Sequence, residues 1–339
     1  MTIAVPGVFR RRAGLILLYH RIAEPTSDPQ LLAVTPRHFA QHLEVLRNCG
    51  TPMSLPQMMS ARRDSRLPHR AVAVTFDDGY TDTVDCGEPL LARHDVPATV
   101  FVTTSYVGGE REFWWDDLER LLLLPGSLPE TLRLRIGQTV HEWRLAESAV
   151  YDDDMWRQHR GWTVESWDDP SPRHFAYRAL CGLLRTLPGD ERCAAIDELT
   201  RIAGATSTGR STHRQVSSER LARASEGRLV EVGAHAATHA ALAGLSEAAQ
   251  RSEIAGSKAR LREITGRDPA GFAYPFGGRA DYTATTVALV RDAGFAFACS
   301  NMPGPVRRGS DPFQLPRLLV RNWDGDAFAA RLRGWFGDE

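Results

Sequence analysis

Short apolar runs that alternate with helix patterns constrain the fold of this chain more than any other feature. The runs AVAVTF (residues 71–76) and ATVFV (98–102) are rich in β-branched residues, as expected of parallel strands buried on both faces. Between such runs lie helix patterns: Thr35 followed by Pro36 predicts a helix start, and Gly50 predicts its end. The alternation predicts an α/β fold with a parallel sheet, either open or closed into a barrel.

The same alternation recurs elsewhere along the chain. The further predicted strands are 14–20, from Leu229, from Gly271, from Phe295 and 315–320. The further predicted helices end near Arg93, begin at Ser217, and span 246–265, about 283–293 and 324–336. These elements bracket the middle of the chain on both sides.

The middle of the chain has a different pattern. Between Thr104 and Gln215 the sequence becomes tryptophan-rich and acidic, with the segments FWWDDLERLLLL, YDDDMWRQHRGW and ESWDDPSP. We expect one domain over residues 1–339, with an insertion at about 105–215. The insertion should lie on the carboxyl side of the strands, where loops form the site, and contribute to substrate binding.

Composition excludes some classes of function. The 339 residues, of which 42% are hydrophobic and 24% charged, suit one large enzyme domain. A net charge of -1 gives no long-range attraction to nucleic acid. Gly277 and Gly278 form too short a loop to cradle phosphate, and no basic stripe interleaved with aromatic residues is present.

The N-terminal sequence and the cysteines predict the compartment. Arg10, Arg11 and Arg12 precede an apolar run of only 14–19, which is short for a signal peptide. No stretch approaches the roughly 20 apolar residues of a membrane-spanning helix. The five cysteines are scattered and show no CxxC spacing, which favours reduced thiols. We therefore expect a cytoplasmic protein without a transmembrane segment.

The strongest local signal is TFDDGY at residues 75–80. Two adjacent carboxylates at the end of a buried strand are costly without a partner, and a cation would offset that cost. Side chains alternate along a strand, so Asp77 and Asp78 would diverge unless the chain turns at Gly79. The alternative is a structural turn and helix N-cap, which Asp-Asp-Gly also suits.

A second signal is HAATH at residues 235–239. His235 and His239 are four residues apart, and on one helical turn they would share a face and could share a metal. Such pairs also arise by chance among 11 histidines. Together with Asp78 they form a three-ligand site with open positions, as catalytic metals require. One divalent ion is predicted; zinc is the default because of its availability, while iron, cobalt and nickel also fit.

These motifs resemble a known family. TFDDGY, HAATH, AYPFGG (273–278) and DVPATVFV (95–102) are similar to segments of the polysaccharide deacetylases, also called the NodB-homology or carbohydrate esterase family 4 domain. The resemblance implies a distorted (β/α)7-8 barrel that hydrolyses N-acetyl groups from amino sugars. It implies Asp78, His235 and His239 as metal ligands and Asp77 as general base. Tyr274 and Phe276 would belong to the segment whose backbone N–H binds the oxyanion.

The sequence departs from the common family pattern at two positions. Many members have an Arg where Ala273 stands, and a C-terminal His that is absent from LPRLLVRNW (315–323). His20 resembles the N-terminal Tyr-His of biofilm poly-N-acetylglucosamine deacetylases, which makes it the candidate general acid. Arg317 is the candidate that orients Asp77. Alternatively, His20 caps a strand and Arg317 pairs with a surface carboxylate.

The function predicted is metal-dependent removal of an N-acyl group from an amino sugar, a glycoconjugate or a small molecule. The bound cation would polarise the acyl oxygen and lower the pKa of water, while Asp77 takes the proton. Trp115 and Asp116 could form a sugar subsite, or could simply start a helix with buried tryptophans. The alternatives are a deformylase or amidase acting on a non-sugar metabolite, and an inactive glycan-binding protein of the same fold.

Overall fold

The computed structural model of the protein describes residues 13–337, so Arg10, Arg11 and Arg12 lie outside the described residues. Its strands are β1 Gly14–Tyr19, β2 Arg21–Ile22, β3 Ala33–Val34, β4 Thr51–Pro52, β5 Ala71–Phe76, β6 Ala98–Val102, β7 Gly126–Ser127, β8 Thr131–Ile136, β9 Thr139–Arg144, β10 Val150–Tyr151, β11 Val230–Ala234, β12 Gly271–Ala273, β13 Phe297–Cys299 and β14 Leu318–Leu319. Its α-helices are α1 Pro36–Cys49, α2 Leu55–Arg63, α3 Glu88–His94, α4 Trp114–Leu122, α5 Asp153–His159, α6 Pro172–Arg185, α7 Gly189–Ile202, α8 Ser218–Glu226, α9 Glu247–Thr265, α10 Ala284–Asp292 and α11 Gly325–Phe336. Short 3-10 turns span Thr104–Tyr106, Ala146–Ala149, Ser211–His213 and Leu242–Gly244, and a π-helical turn spans Thr83–Gly87.

The main sheet is parallel and curls until its two ends meet. Its strand order is β13-β12-β11-β6-β5-β1-β14, with β4 also paired to β5. A parallel bridge between Cys299 and Leu315 joins the two ends of this order. The prediction of a distorted (β/α) barrel is therefore confirmed. The strand predicted over 315–320 is reduced to this bridge and the short β14, because Pro316 between them has no N–H to donate.

Local sequence explains helix α1, which was predicted from its ends. The Thr35 side chain accepts a hydrogen bond from the backbone N–H of His38, and Pro36 occupies the first turn. The N–H of Gly50 closes the other end on the carbonyl of Leu46. Leu46 belongs to a helix face that is completely buried against the barrel.

The strand side chains divide between two cores. In β1, Leu15 and Leu17 pack outward against the helices, while Ile16 points into the barrel. Phe101 from β6 is completely buried in the barrel interior. Gly233 in the neighbouring β11 makes this possible, because an added Cβ there would lie 2.4 Å from a ring carbon of Phe101.

A third core lies outside the barrel and is built by the middle of the chain. Aromatic and leucine side chains of α4, β8, β9, α6 and α7 pack together there. Tyr80, which ends the TFDDGY motif, is the barrel residue buried in this cluster. The middle segment is thus packed directly against the loop that carries the two aspartates. None of the helices in residues 13–337 combines the length and apolar character needed to cross a membrane.

Candidate active site

The predicted site residues meet at one edge of the barrel, where the carboxyl ends of its strands lie. Asp77 and Asp78 directly follow β5. His20 follows β1, and His235 follows β11. These four residues and His239 line one cavity of about 430 Å³. This is the edge at which parallel α/β barrels carry their sites.

The turn predicted after the strand is present and separates the two carboxylates. Asp78 and Gly79 both have left-handed backbone, with φ of 74° and 88°. A non-glycine residue is strained in this region, and such strain clusters at functional sites. As a result the Asp77 side chain points to Arg317, whereas the Asp78 side chain points to the two histidines.

Asp78, His235 and His239 fit a divalent cation. One ligand atom from each lies within 4.8 Å of the others. Asp78 Oδ1 lies 3.6 Å from His235 Nε2 and 3.3 Å from His239 Nε2, yet it is buried and accepts no hydrogen bond from the described residues. The backbone carbonyl of Ala273 accepts a hydrogen bond of 2.8 Å from His235 Nδ1, which leaves Nε2 with its lone pair.

Electrostatics favours the same assignment. Burial raises the pKa of Asp78 and lowers the pKa values of His235 and His239. Burial therefore disfavours the charged form of each group, and neutral imidazoles are the form that binds metal. A cation would compensate the carboxylate, which otherwise has no hydrogen-bonded partner there.

The HAATH segment is not the helical turn that we expected. Ala236 and His239 have left-handed backbone, with φ of 60° and 58°, so the segment is a bent loop. The histidines converge because the chain folds back between them, not because they share a helix face. Their ring centroids lie 4.9 Å apart.

Two charged residues outside the motif hold this loop. Glu253 from α9 accepts hydrogen bonds from the N–H groups of Ala237 and Thr238, at 2.9 and 2.8 Å, and from the Thr238 hydroxyl at 2.7 Å. Arg192 from α7 donates to the Thr238 carbonyl at 2.5 Å. The loop between the two predicted ligands is thus fixed from both sides. Sequence reasoning missed both residues, because no short motif connects them to HAATH.

Arg317 lies against the predicted base. Its guanidinium donates two hydrogen bonds to the two Asp77 oxygens, at 2.7 and 2.6 Å, and both side chains are buried. Burial alone would raise the pKa of Asp77, but Arg317, His235 and His20 together outweigh it and lower that pKa to about 2. Ala273 belongs to the barrel interior, and the Arg317 guanidinium lies over Phe101 of the same cluster. Ala273 and Arg317 thus both border the cluster that contains Phe101.

His20 faces the cavity beside the two aspartates. Its ring makes no hydrogen bond with the rest of the described chain. Burial lowers the pKa of His20, while Asp78 and Asp77 oppose that effect. The imidazole is therefore placed to meet a bound molecule and is not occupied in capping the strand.

The middle segment supplies one wall of the cavity. Trp114 and Trp115 line it, and both are largely buried. The Trp115 ring lies 4.7 Å from the His239 ring, and its Nε1 donates to the Tyr80 hydroxyl at 2.8 Å. The interpretation as a helix start with buried tryptophans is confirmed. The role of the segment as a sugar subsite stays a prediction, although both tryptophans border the cavity.

Three further predicted residues differ in their placement. Phe276 lines the cavity, 4.7 Å from the His239 ring. Tyr274 points away from it and donates to the carbonyl of Phe313, because Ala273 before it takes the inward position. The Asp116 carboxylate accepts from the Tyr80 hydroxyl at 2.7 Å and does not line the cavity.

A second group, Asp116, Glu119 and His213, also brings its side-chain atoms within 4.8 Å of one another. Here an arginine already balances the charge, since Arg210 donates to Glu119 at 2.9 Å. This group is therefore an internal ion-pair cluster of the middle segment.

Comparison with known proteins places the fold and the motifs in one family. The sequence profile named polysaccharide deacetylase matches residues 64–128 and 203–298. YxkH of Bacillus subtilis is 28% identical over 110 residues, which is 31% of this chain and 37% of YxkH. The poly-beta-1,6-N-acetyl-D-glucosamine N-deacetylase of Staphylococcus epidermidis is 25% identical over 113 residues, or 30% of this chain and 39% of that protein. The matches thus span well under half the length of these relatives.

Solved structures agree on the fold. IcaB from Ammonifex degensii superimposes with a TM-score of 0.57 at 18% sequence identity, covering 96% of this chain and 97% of that chain. At this low sequence identity, the superposition establishes a shared fold and no more. The profile match covers the segments that carry TFDDGY, HAATH and AYPFGG, and the barrel is shared. The chain carries a polysaccharide deacetylase domain, which the profile matches in two segments on either side of the middle of the chain.

Proposed function

We propose that the protein is a metal-dependent hydrolase that removes an N-acyl group, in the first instance N-acetyl, from an amino sugar or a sugar conjugate. The observation that carries this proposal is the buried Asp78 oxygen, which meets two histidines beside the Asp77–Arg317 pair in one cavity. The S. epidermidis relative is an N-deacetylase, which supports the same reaction class.

Asp78, His235 and His239 would hold one divalent cation, for which zinc is the default and cobalt, nickel and iron are compatible. When bound, such a cation polarises the acyl carbonyl and makes water more acidic. The protein's own part is to fix the ligands. The Ala273 carbonyl orients His235, and Glu253 holds the loop that ends in His239.

Asp77 is the proposed general base. Its low pKa, near 2, keeps it ionised at neutral pH, so it can accept a proton from the attacking water. Arg317 contributes orientation rather than basicity, because two hydrogen bonds fix the plane of the carboxylate. His20, which follows the neighbouring strand β1 and lines the same cavity, is the proposed acid that protonates the departing amine.

The backbone N–H of Phe276 is the proposed donor to the oxyanion. The neighbouring Tyr274 N–H is used in the sheet, where it donates to the carbonyl of Cys299, and Pro275 has no N–H. Within residues 13–337 the Phe276 N–H has no partner. Phe276 also has left-handed backbone, with φ of 59°, which is the kind of strain that marks a functional turn.

We also propose that residues 1–339 form one domain in which the insertion, about 105–215, completes the substrate site. The supporting observation is the shared core around Tyr80, which packs the insertion onto the aspartate loop. Trp114, Trp115 and residues of α6 would contact the substrate.

The test is acyl release from metal-loaded protein, followed by mass spectrometry on a panel of N-acetyl and N-formyl amino sugars and conjugates. Asp77→Asn should abolish release and retain the metal, whereas Asp64→Asn, at an exposed position, should not. His20→Asn should lower kcat with metal content unchanged, and His69→Asn serves as its exposed control. Full activity in the Asp77 variant would refute the mechanism. No release from any substrate would instead favour a glycan-binding protein.

A further inference from the structure

The walls of the cavity carry an excess of positive charge, and the proposed chemistry does not use this excess. Of the residues that line the cavity, the only carboxylates are Asp77 and Asp78 at the floor. The walls carry three arginines, Arg178, Arg185 and Arg321. A neutral N-acetyl sugar would offer such guanidinium groups no opposite charge.

Each of these arginines is held by a carboxylate that does not line the cavity. The pairs are Arg178 with Asp169 at 3.0 Å, Arg185 with Asp281 at 2.6 Å, and Arg321 with Glu165. Each pair therefore has its positive end at the cavity and its negative end away from it. A group bound in the cavity is closer to the cations than to their partners, so the local potential favours an anion.

Arg185 is the most available of the three. Its guanidinium carbon lies 4.2 Å from the centre of the Phe276 ring, and Nη2 donates to Asp281. Asp281 is itself fixed, because it accepts a hydrogen bond of 2.8 Å from the N–H of Gly278. The other N–H groups of Arg185 have no partner in the part of the chain that the structure describes. Arg185 is thus a fixed cation with free donors. The Phe276 ring lies between it and His239, because that ring contacts both side chains.

The other two arginines differ from it. Arg321 donates to the carbonyl of Leu31 at 2.7 Å and to Glu165, and retains donors beyond these. Arg178 donates to the carbonyls of Val164 and Ser166 as well as to Asp169, so it mainly holds the loop at the cavity rim. Arg185 and Arg321 are therefore the pair that can engage a ligand.

We propose that the substrate carries a phosphoryl group next to its N-acyl amino sugar, and that Arg185 and Arg321 bind this group. The inference rests on the proposed function and narrows its substrate class. A phosphoryl group has several acceptor oxygens and up to about two charges, enough to engage two guanidinium groups from different parts of the chain. The proposed ligand class is a phosphate or diphosphate ester of the sugar. The experiment below distinguishes whether the phosphoryl group is also joined to a nucleotide, to a lipid or to no further group.

The test compares kcat/KM for four substrates: an N-acetylhexosamine 1-phosphate, a nucleotide diphosphate N-acetylhexosamine, a short-chain polyprenyl diphosphate N-acetylhexosamine and a neutral N-acetylglucosamine oligomer. At least one phosphorylated substrate should be preferred, and the preferred one identifies the source. Arg185→Gln should reduce the preference over the neutral oligomer roughly 10- to 100-fold, mainly through KM, because charge-assisted hydrogen bonds are lost. Arg321→Gln should act in the same direction, and Arg185→Lys should lose less.

The control is Arg133→Gln, an exposed arginine on β8 that is remote from the cavity lining and should leave the preference unchanged. A readout independent of turnover is the Kd of inorganic phosphate for the metal-loaded protein, measured by calorimetry, which Arg185→Gln should weaken by a similar factor. Equal use of neutral and phosphorylated substrates would overturn this proposal while leaving the hydrolase intact. Arg185-dependent phosphate binding without any acyl release would support the phosphoryl site and refute the proposed reaction.

Discussion

Replacing Arg317 with methionine should destabilise the protein far more than the loss of one hydrogen-bonded pair on the surface. Arg317 and Asp77 are almost fully buried and are joined at 2.7 and 2.6 Å. The shift of the Asp77 pKa from 3.8 to about 2 corresponds to about 2.5 kcal/mol at roughly 1.4 kcal/mol per pKa unit. Burial opposes that shift, and Arg317 is the largest of the groups that lower the pKa, followed by His235. Removing one partner of a buried pair costs about 3 to 5 kcal/mol, and we expect a loss in that range.

Arg133→Met supplies a matched control. Arg133 pairs with Glu142 at the same 2.7 Å, but the two side chains are 67% and 53% exposed, so the expected loss is about 1 kcal/mol or less. Urea unfolding at pH 7, with a chelator present, measures the loss in free energy of unfolding for both variants. Because the folded pKa of Asp77 is below its unfolded value, the wild-type advantage should be complete above about pH 4 and shrink as the pH falls towards 2. Adding Asp77→Asn to Arg317→Met should recover stability. If Arg317→Met loses no more than Arg133→Met, the assignment of a stabilising buried pair is wrong.

Three further outcomes follow from the contacts described. Glu253→Gln should weaken metal affinity roughly 10- to 100-fold in a chelator competition, whereas Glu263→Gln on the exposed side of the same helix should not; equal effects would contradict a role in holding the loop. Burial lowers the pKa of His42 from 6.5 to about 4, so the unfolded chain takes up a proton first as the pH falls. Stability should therefore decrease as the pH is lowered from about 6.5 to about 4, by at most about 3.5 kcal/mol. His42→Gln should remove that part of the pH dependence, and an unchanged slope would argue against it. Gly233→Ala should cost about 1 to 3 kcal/mol in urea unfolding, because the new methyl group meets the Phe101 ring; an unchanged midpoint would show that the interior has spare room.

The two acidic residues and the two histidines were predictable because their positions follow from strand ends. Parallel strands place their carboxyl ends at one edge, so polar residues that end AVAVTF and LVEVGA must lie near each other. Arg317 could be predicted as a partner of Asp77 only from the family pattern and the missing arginine at Ala273. The structure brings these residues together as expected, and their chemical roles stay predictions.

The errors arose where three-dimensional context decides the direction of a side chain. Tyr274 was expected at the substrate, but the pleat that turns Ala273 inward turns Tyr274 outward. Asp116 is bound by Tyr80, a contact across 36 residues that no local pattern indicates. The HAATH loop was expected to be helical, and the carboxylate that shapes it, Glu253, lies on a helix whose many other charged residues are exposed. Long-range hydrogen bonds therefore account for most of what the sequence did not predict.

The closing bridge between Cys299 and Leu315 has a consequence for how the protein acquires its activity. Arg317 follows that bridge and meets Asp77 across 240 residues, one of the longest contacts along the chain. Contacts of such separation form slowly, because the intervening chain must be ordered first. The carboxylate that we propose as base is therefore oriented only when the final strand enters the barrel. A partly folded chain would have both aspartates but no oriented base, so activity should return with the last, slowest phase of refolding.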